Sequence, residues 1–235
     1  MACLSISFDS IRYSGGWVTP HESLILLVLS LTTTLSVHTA GATPPGQDLS
    51  LFYGDVTQLT TIPDRQRFLP KEIYSRMVLD AVVCCLDIVL VRINTKVQRK
   101  ECLLVYRATE PVQGVWWWPG GRLLKGETFF AAAQRKAHQE TGLSHVRPVQ
   151  VLGVWNTFFP TSAWDTPTER GTQTVNPIVL VELLDPDASV QLDDTSEQYR
   201  WISLDPEEAK AAGEDPYVQQ ALLRLQAWDP NYIKL

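Results

Sequence analysis

Basic blocks, paired metal-ligand cysteines and membrane-length apolar runs are all missing from this sequence. Its 20 Lys and Arg residues are scattered and outnumbered by 26 Asp and Glu, for a formal charge of -6 and a pI near 5.2. Without a cationic patch, nucleic acid is excluded as the main partner. Only four cysteines occur, and none stands in a C-x-x-C pair, so a cysteine-held metal is excluded too. Cys84 and Cys85 are adjacent, would point to opposite faces of a strand, and cannot bridge each other. With Cys102 they fall in apolar runs and are expected to be buried free thiols, which suits a reducing compartment. The apolar run Leu24–Leu31 falls short of the ~20 residues that a spanning helix needs, so no stable membrane insertion is expected.

What is there is enough for one well-buried domain and an appendage: 235 residues with an ordinary apolar content of 45%. The appendage is residues 1–47. Its apolar run, a Ser/Thr-rich stretch and the small residues Ala40-Gly41-Ala42 allow three readings: a secretory signal, an organellar transit segment, or a start set too early. It is read as lying outside the fold. A cytoplasmic location is favoured for the rest, and a homodimer stays open.

Residues 69–230 carry the domain. The segment PKEIYSRMVLD predicts a short helix with proline at its start. VLDAVVCCLDIVLVRI predicts a buried strand with a break or bulge, joined through the polar turn NTKVQRK to the strand ECLLVYRA as an antiparallel hairpin. The aromatic strand VWWW follows, with Trp117 facing opposite to Trp116 and Trp118. Thr128 caps a helix that Gly142 ends. Strands VQVLGVWNTFF, TVNPIVLVELL and QYRWISL come next, then helices over 206–212 and 217–228. This order predicts a mixed sheet with a helix on each side, an α/β/α sandwich of the α/β class.

Chemistry concentrates in WWWPGGRLLKGETFFAAAQRKAHQETGL, from Trp116 to Leu143. Lys136, Gln139 and Glu140 stand at i, i+3 and i+4 and share one helix face. Pro119-Gly120-Gly121 lets backbone approach a ligand, because glycine carries no side chain to exclude it. A loop carbonyl beside an acidic side chain suits Mg²⁺, with ligand phosphates completing its shell. Arg107 and Arg122 flank the loop and offer planar forks to a diphosphate.

The stretch resembles a Nudix box, whose pattern is G-x5-E-x7-R-E-U-x-E-E-x-G-U with U aliphatic. Gly121, Glu127, Arg135, Glu140, Gly142 and Leu143 match at full spacing, while Lys136 and Gln139 replace two glutamates and Ala137 takes the aliphatic place. The run EPVQGVWWWPGGRLLKGET, Arg107, LGVW at 152–155 and YRW at 199–201 are most similar to the group of GDP-mannose mannosyl hydrolases. That resemblance implies one Mg²⁺, with Mn²⁺ as a substitute, held by the Gly120 carbonyl and Glu140; Gln139, beside Glu140 on the helix, is a further candidate as a neutral ligand. It implies Arg107, Arg122 and Arg135 on the diphosphate. It does not supply the base: Thr195 and Ser196 stand where that group places its glutamine and histidine.

The expected activity is therefore Mg²⁺-dependent hydrolysis of a nucleoside diphosphate linked to another moiety, chiefly a nucleotide sugar. Attack at the sugar carbon is one alternative, and a binding or regulatory domain without turnover is the other. Catalytic candidates are Glu140, Arg135, Glu127 and Glu197, with Asp194 as a second choice of base. Trp117 and Lys136 join Arg107 and Arg122 as substrate-binding candidates. Plainer readings stand beside these: Arg135 paired with Glu127, Lys136 as a solvated helix charge, Trp117 as core, Asp194 and Glu197 as loop acids, and His138 as an exposed helix residue.

Overall fold

A computed structural model describes residues 69–164 and 170–233, so the expectations for residues 1–47 lie outside the described residues. The described residues begin with helix α1 (Lys71–Asp80), then strands β1 (Val83–Asn94), β2 (Arg99–Arg107), β3 (Trp116–Trp117) and β4 (Gly120–Arg122). Helix α2 (Phe129–Thr141), strands β5 (Val146–Phe159), β6 (Thr172–Leu183) and β7 (Ser196–Ser203), and helices α3 (Pro206–Ala211) and α4 (Pro216–Trp228) complete it. The seven strands form one sheet, ordered β3-β2-β1-β6-β5, with β4 also paired to β1 and β7 to β2. Only β1 and β6 pair in parallel, so the sheet is mixed.

Two cores follow from strand alternation, since successive side chains point to opposite faces. On one face, Leu86, Ile88 and Leu90 of β1 and Val179 and Val181 of β6 pack with Phe130, Ala132, Ala133 and Ala137 of α2. On the other, Val89, Val91, Ile178 and Leu180 pack with Val218, Ala221, Leu222 and Leu225 of α4. The result is the α/β/α sandwich that the element order predicts. Each fully buried leucine or isoleucine contributes about 1.5–3 kcal/mol. Among the described residues no helix is long and apolar enough to cross a membrane.

Three local expectations need correction. β1 is continuous rather than broken. Its first half pairs with β4 and its second with β2, while β6 runs along its other edge, so a change of partner replaces a break. The thiols are not uniformly buried: Cys102 is, Cys85 is half-buried and Cys84 is exposed near the start of β1, before both faces are covered. The tryptophan alternation stops early, because β3 has two residues and the chain leaves it before Trp118. Trp117 and Trp118 are both buried in the core beneath α4, and Trp116 packs against it.

Candidate active site

Helix α2 is placed by its ends. The Thr128 hydroxyl accepts the Ala131 N–H at 3.1 Å, and Gly142 closes the helix in a left-handed conformation. Before it, the loop from Gly120 to Thr128 is tied to the helix by Arg135. The Arg135 Nε donates to Glu127 Oε1 at 2.5 Å, and its Nη2 donates to Glu127 Oε2 at 2.8 Å and to the Arg122 carbonyl at 3.1 Å. Its Nη1 donates to Gln139 Oε1 at 2.8 Å. Glu127 Oε2 also accepts the Leu124 N–H at 2.9 Å. The Glu127–Arg135 pairing read from the sequence is therefore the clasp between loop and helix.

The loop reaches β1 through two glycines. A Cβ on Gly120 would collide with Asp87 Oδ1 and the Leu86 carbonyl, so only glycine lets β4 lie against β1 here. Gly121 has φ +152°, and a side chain on it would come within 2.7 Å of the Lys136 ammonium. Glycine is thus required for both approach and conformation.

Between loop, helix and sheet lies a pocket of about 580 Å³. Arg107, Arg122, Arg135, Lys136, Gln139, Glu140, Gly120 and Trp117 all line it, so the structure gathers most of the candidates on one cavity. Glu127 stands just behind it through Arg135. Glu197 and Asp194 are exposed and do not line it, although Thr195 does. His138 is exposed on α2. Trp117 is 7% exposed, with one face stacked on Tyr217 at 4.3 Å, so it is core and pocket wall together. Tyr74, Phe159 and Trp164 extend the aromatic wall.

The two side-chain candidates for a metal ligand are engaged elsewhere. Glu140 is 3% exposed; its Oε2 accepts the Gly120 N–H at 2.8 Å and its Oε1 accepts Lys136 Nζ at 2.8 Å. The Gln139 carbonyl oxygen is taken by Arg135. A hard divalent cation needs oxygen ligands with net negative charge, whereas this helix face offers one carboxylate that an ammonium already neutralises. Among the described residues no three His, Cys, Asp or Glu side chains converge to hold a metal ion. The donor set does not fit the magnesium site that the box spacing suggests.

A residue that sequence reasoning passed over is Asp87. It is 4% exposed, lines the pocket, and accepts the Tyr217 hydroxyl at 2.6 Å and Asn176 Nδ2 at 2.7 Å, both through Oδ2. Burial pushes its carboxyl up to about 6, opposed by those two hydrogen bonds and by Arg107, and reinforced by nearby Glu140. Burial and the same carboxylate push the Tyr217 hydroxyl far up, so it remains a donor. Behind Asn176, the hydroxyls of Thr174 and Thr157 and the Asn176 carbonyl form a buried polar chain. Cys85 also lines the pocket, but burial raises its thiol to about 12 and removes it as a nucleophile.

A family model of the NUDIX domain matches residues 87–222, more than half of the chain. The chain belongs to the Nudix hydrolase family. Within it, this Nudix chain is 39% identical over 57 residues to the human 8-oxo-dGDP phosphatase NUDT18, a match covering 24% of this chain and 17% of that protein. Among solved structures it is similar to a C. elegans Ap4A hydrolase in a binary complex, at 21% identity and a TM-score of 0.48 over 63% of this chain and 97% of that one. The M. smegmatis Nudix hydrolase RenU is likewise 21% identical with a TM-score of 0.48, over 65% and 88% of the two chains.

Proposed function

We propose that this Nudix chain hydrolyses a nucleoside diphosphate linked to a second moiety, with a nucleotide sugar as substrate. The observation that carries the reading is the cationic end of the pocket, where Arg107, Arg122, Arg135 and Lys136 surround the Gly120–Gly121 loop. Guanidinium forks and an ammonium suit phosphate oxygens in this enclosed setting. Arg107 adds a specific reason: its Nε is buried without a hydrogen-bond partner. A buried donor left so costs about 1–3 kcal/mol, a cost accepted in a residue that lines the pocket. The aromatic wall and a cavity of about 580 Å³ suit a base or sugar beside the phosphates. The human relative acts on a nucleoside diphosphate, which supports the same ligand class here.

For chemistry, Asp87 is the pocket carboxylate in a position to act as base. Tyr217 and Asn176 orient it through Oδ2, and it lies on the cavity while Glu197 and Asp194 do not. In this reading Asp87 takes a proton from water as the water oxygen adds to phosphorus. The P–O–P bond of the diphosphate breaks, and the distal phosphate leaves as an anion on its bridging oxygen, still carrying the second moiety, while the phosphate charge is met by Arg107, Arg122 and Lys136. A positioned base contributes ~10²–10⁴ in rate. No step is assigned to Mg²⁺ or Mn²⁺, since Arg135 holds Gln139 and Lys136 holds Glu140.

A second reading, recognition without turnover, is favoured by one observation: the only glutamate retained on that helix face is bound to Lys136. The two separate in one experiment. The full chain is incubated with nucleoside diphosphate sugars and dinucleoside polyphosphates in ¹⁸O-water, with and without Mg²⁺, and products are read by mass spectrometry. Label on a phosphate product, lost in Asp87→Asn, supports the first reading. Label on the sugar moves attack to the sugar carbon, as the mannosyl hydrolase resemblance implies. A ligand that raises thermal stability and returns intact leaves the binding domain ahead.

A further inference from the structure

We propose that Lys136 replaces the divalent cation in this chain: its ammonium, built into the helix, meets the diphosphate, and the site takes its ligand without a metal ion. The inference rests on the ligand class proposed above and deepens it.

The first support is where the ammonium sits. Lys136 Nζ lies 2.8 Å from Glu140 Oε1 and over Gly121, whose missing side chain is the space it uses. That places it between the helix carboxylate and the loop backbone, on the cavity that Arg107 and Arg122 also line. The second is burial. An i,i+4 Lys–Glu pair on a helix surface is ordinarily solvated and weak, but here the two side chains are 15% and 4% exposed. Long side chains are rarely held in such a place without a partner. The third is unused donor capacity. An ammonium has three N–H groups, and Glu140 is its one hydrogen-bond partner among the described residues. The remaining donors are left for a ligand.

Charge explains why an ion and Lys136 exclude each other. The cavity lining already carries four cationic side chains against three carboxylates, Asp87, Glu110 and Glu140. A divalent ion at Glu140 must either expel the ammonium or stand beside it among four cationic side chains. A diphosphate meets the opposite situation, because every added negative charge is balanced on arrival. One Lys in place of a glutamate therefore does two things: it closes the position to metal, and it supplies the positive charge that a metal would bring.

The test uses the full chain after chelator treatment. Mn²⁺ titration followed by electron paramagnetic resonance is expected to show no ordered site at millimolar ion in the parent, and a new one in Lys136→Glu. A single Mn²⁺ site in the parent that Glu140→Gln abolishes would overturn the proposal. Calorimetry with ADP in EDTA is expected to show binding that added Mg²⁺ leaves within about twofold, and that Lys136→Met weakens about tenfold to a hundredfold. Binding that requires Mg²⁺, or Lys136→Met binding as tightly as the parent, would also overturn it. Because Lys136→Met strands a buried carboxylate, the pair Lys136→Met with Glu140→Gln is measured alongside and is expected to lose ADP affinity equally. If ADP binds under neither condition, the ligand class falls and with it the diphosphate role of Lys136. The Mn²⁺ titration decides separately whether the position is closed to metal.

Discussion

Replacing Asp87 by asparagine is expected to stabilise the chain at pH 8 relative to the parent, and to lose that advantage in acid. The carboxyl rises from 3.8 in the unfolded chain to about 6 when folded, mainly through burial. The folded state therefore binds the proton more tightly than the unfolded one between those values. Stability from this group is fully present below pH 4 and is lost as pH rises through 6. The displacement amounts to about 3 kcal/mol between acid and neutral solution. Asparagine keeps the shape and an oxygen that accepts from Tyr217 and Asn176, while removing the titration. Urea denaturation of both proteins from pH 4 to pH 8 checks this. The difference in unfolding free energy is expected to shift towards the variant by about 3 kcal/mol across that range and to level off above pH 7. A difference that is flat with pH, or that favours the parent as pH rises, would refute the argument that burial controls this carboxyl.

Four other changes probe the same frame. Tyr217→Phe removes one of two donors to Asp87, so it is expected to cost about 1–2 kcal/mol more at pH 8 than at pH 5, read by the same denaturation. Glu127→Gln breaks the paired bonds of the Arg135 clasp and is expected to cost about 2–4 kcal/mol, with early protease cleavage in the Gly120–Thr128 loop. Gly120→Ala drives a methyl into Asp87 and the Leu86 carbonyl; an expected loss of about 3 kcal/mol or more would appear as a lowered melting temperature. Arg107→Ala removes a guanidinium whose Nε has no partner. It is expected to leave stability within about 1 kcal/mol while weakening ADP binding about tenfold or more by calorimetry.

The sandwich was legible because its signals are local. Alternation along β1 and β6 assigns each residue to a core, Thr128 and Gly142 bound the helix, and the spacing of Glu127 and Arg135 foretells their clasp. Even the Lys136–Glu140 pair is written in its i,i+4 spacing. Its burial is not, because that depends on how closely two glycines let the loop approach β1, a distance no spacing encodes. The distance of Glu197 from the pocket was hidden for the same reason. Glu197 lies near the right place in sequence, but on β7 it is exposed while its neighbour Ser196 is buried.

Asp87 was concealed by its surroundings, a lone acid in VCCLDIVLV that reads as an apolar strand. Its position was nevertheless informative. It shares a face with Val89 and Val91, which lie under α4, and an acid there must find donors or be expelled. Those donors come from Asn176 and Tyr217, 89 and 130 residues away. Both anomalies, an acid inside an apolar strand and a lysine where the box spacing calls for an acid, converge on Gly120. Asp87 approaches it from the sheet, and Glu140, bound to Lys136, approaches it from the helix. Where a chain spends burial on charged groups that its fold does not require, the compensation has to come from outside the fold. Here Arg107, whose Nε has no partner, and Lys136, with donors to spare, line one cavity together, and one anionic ligand meets both charges.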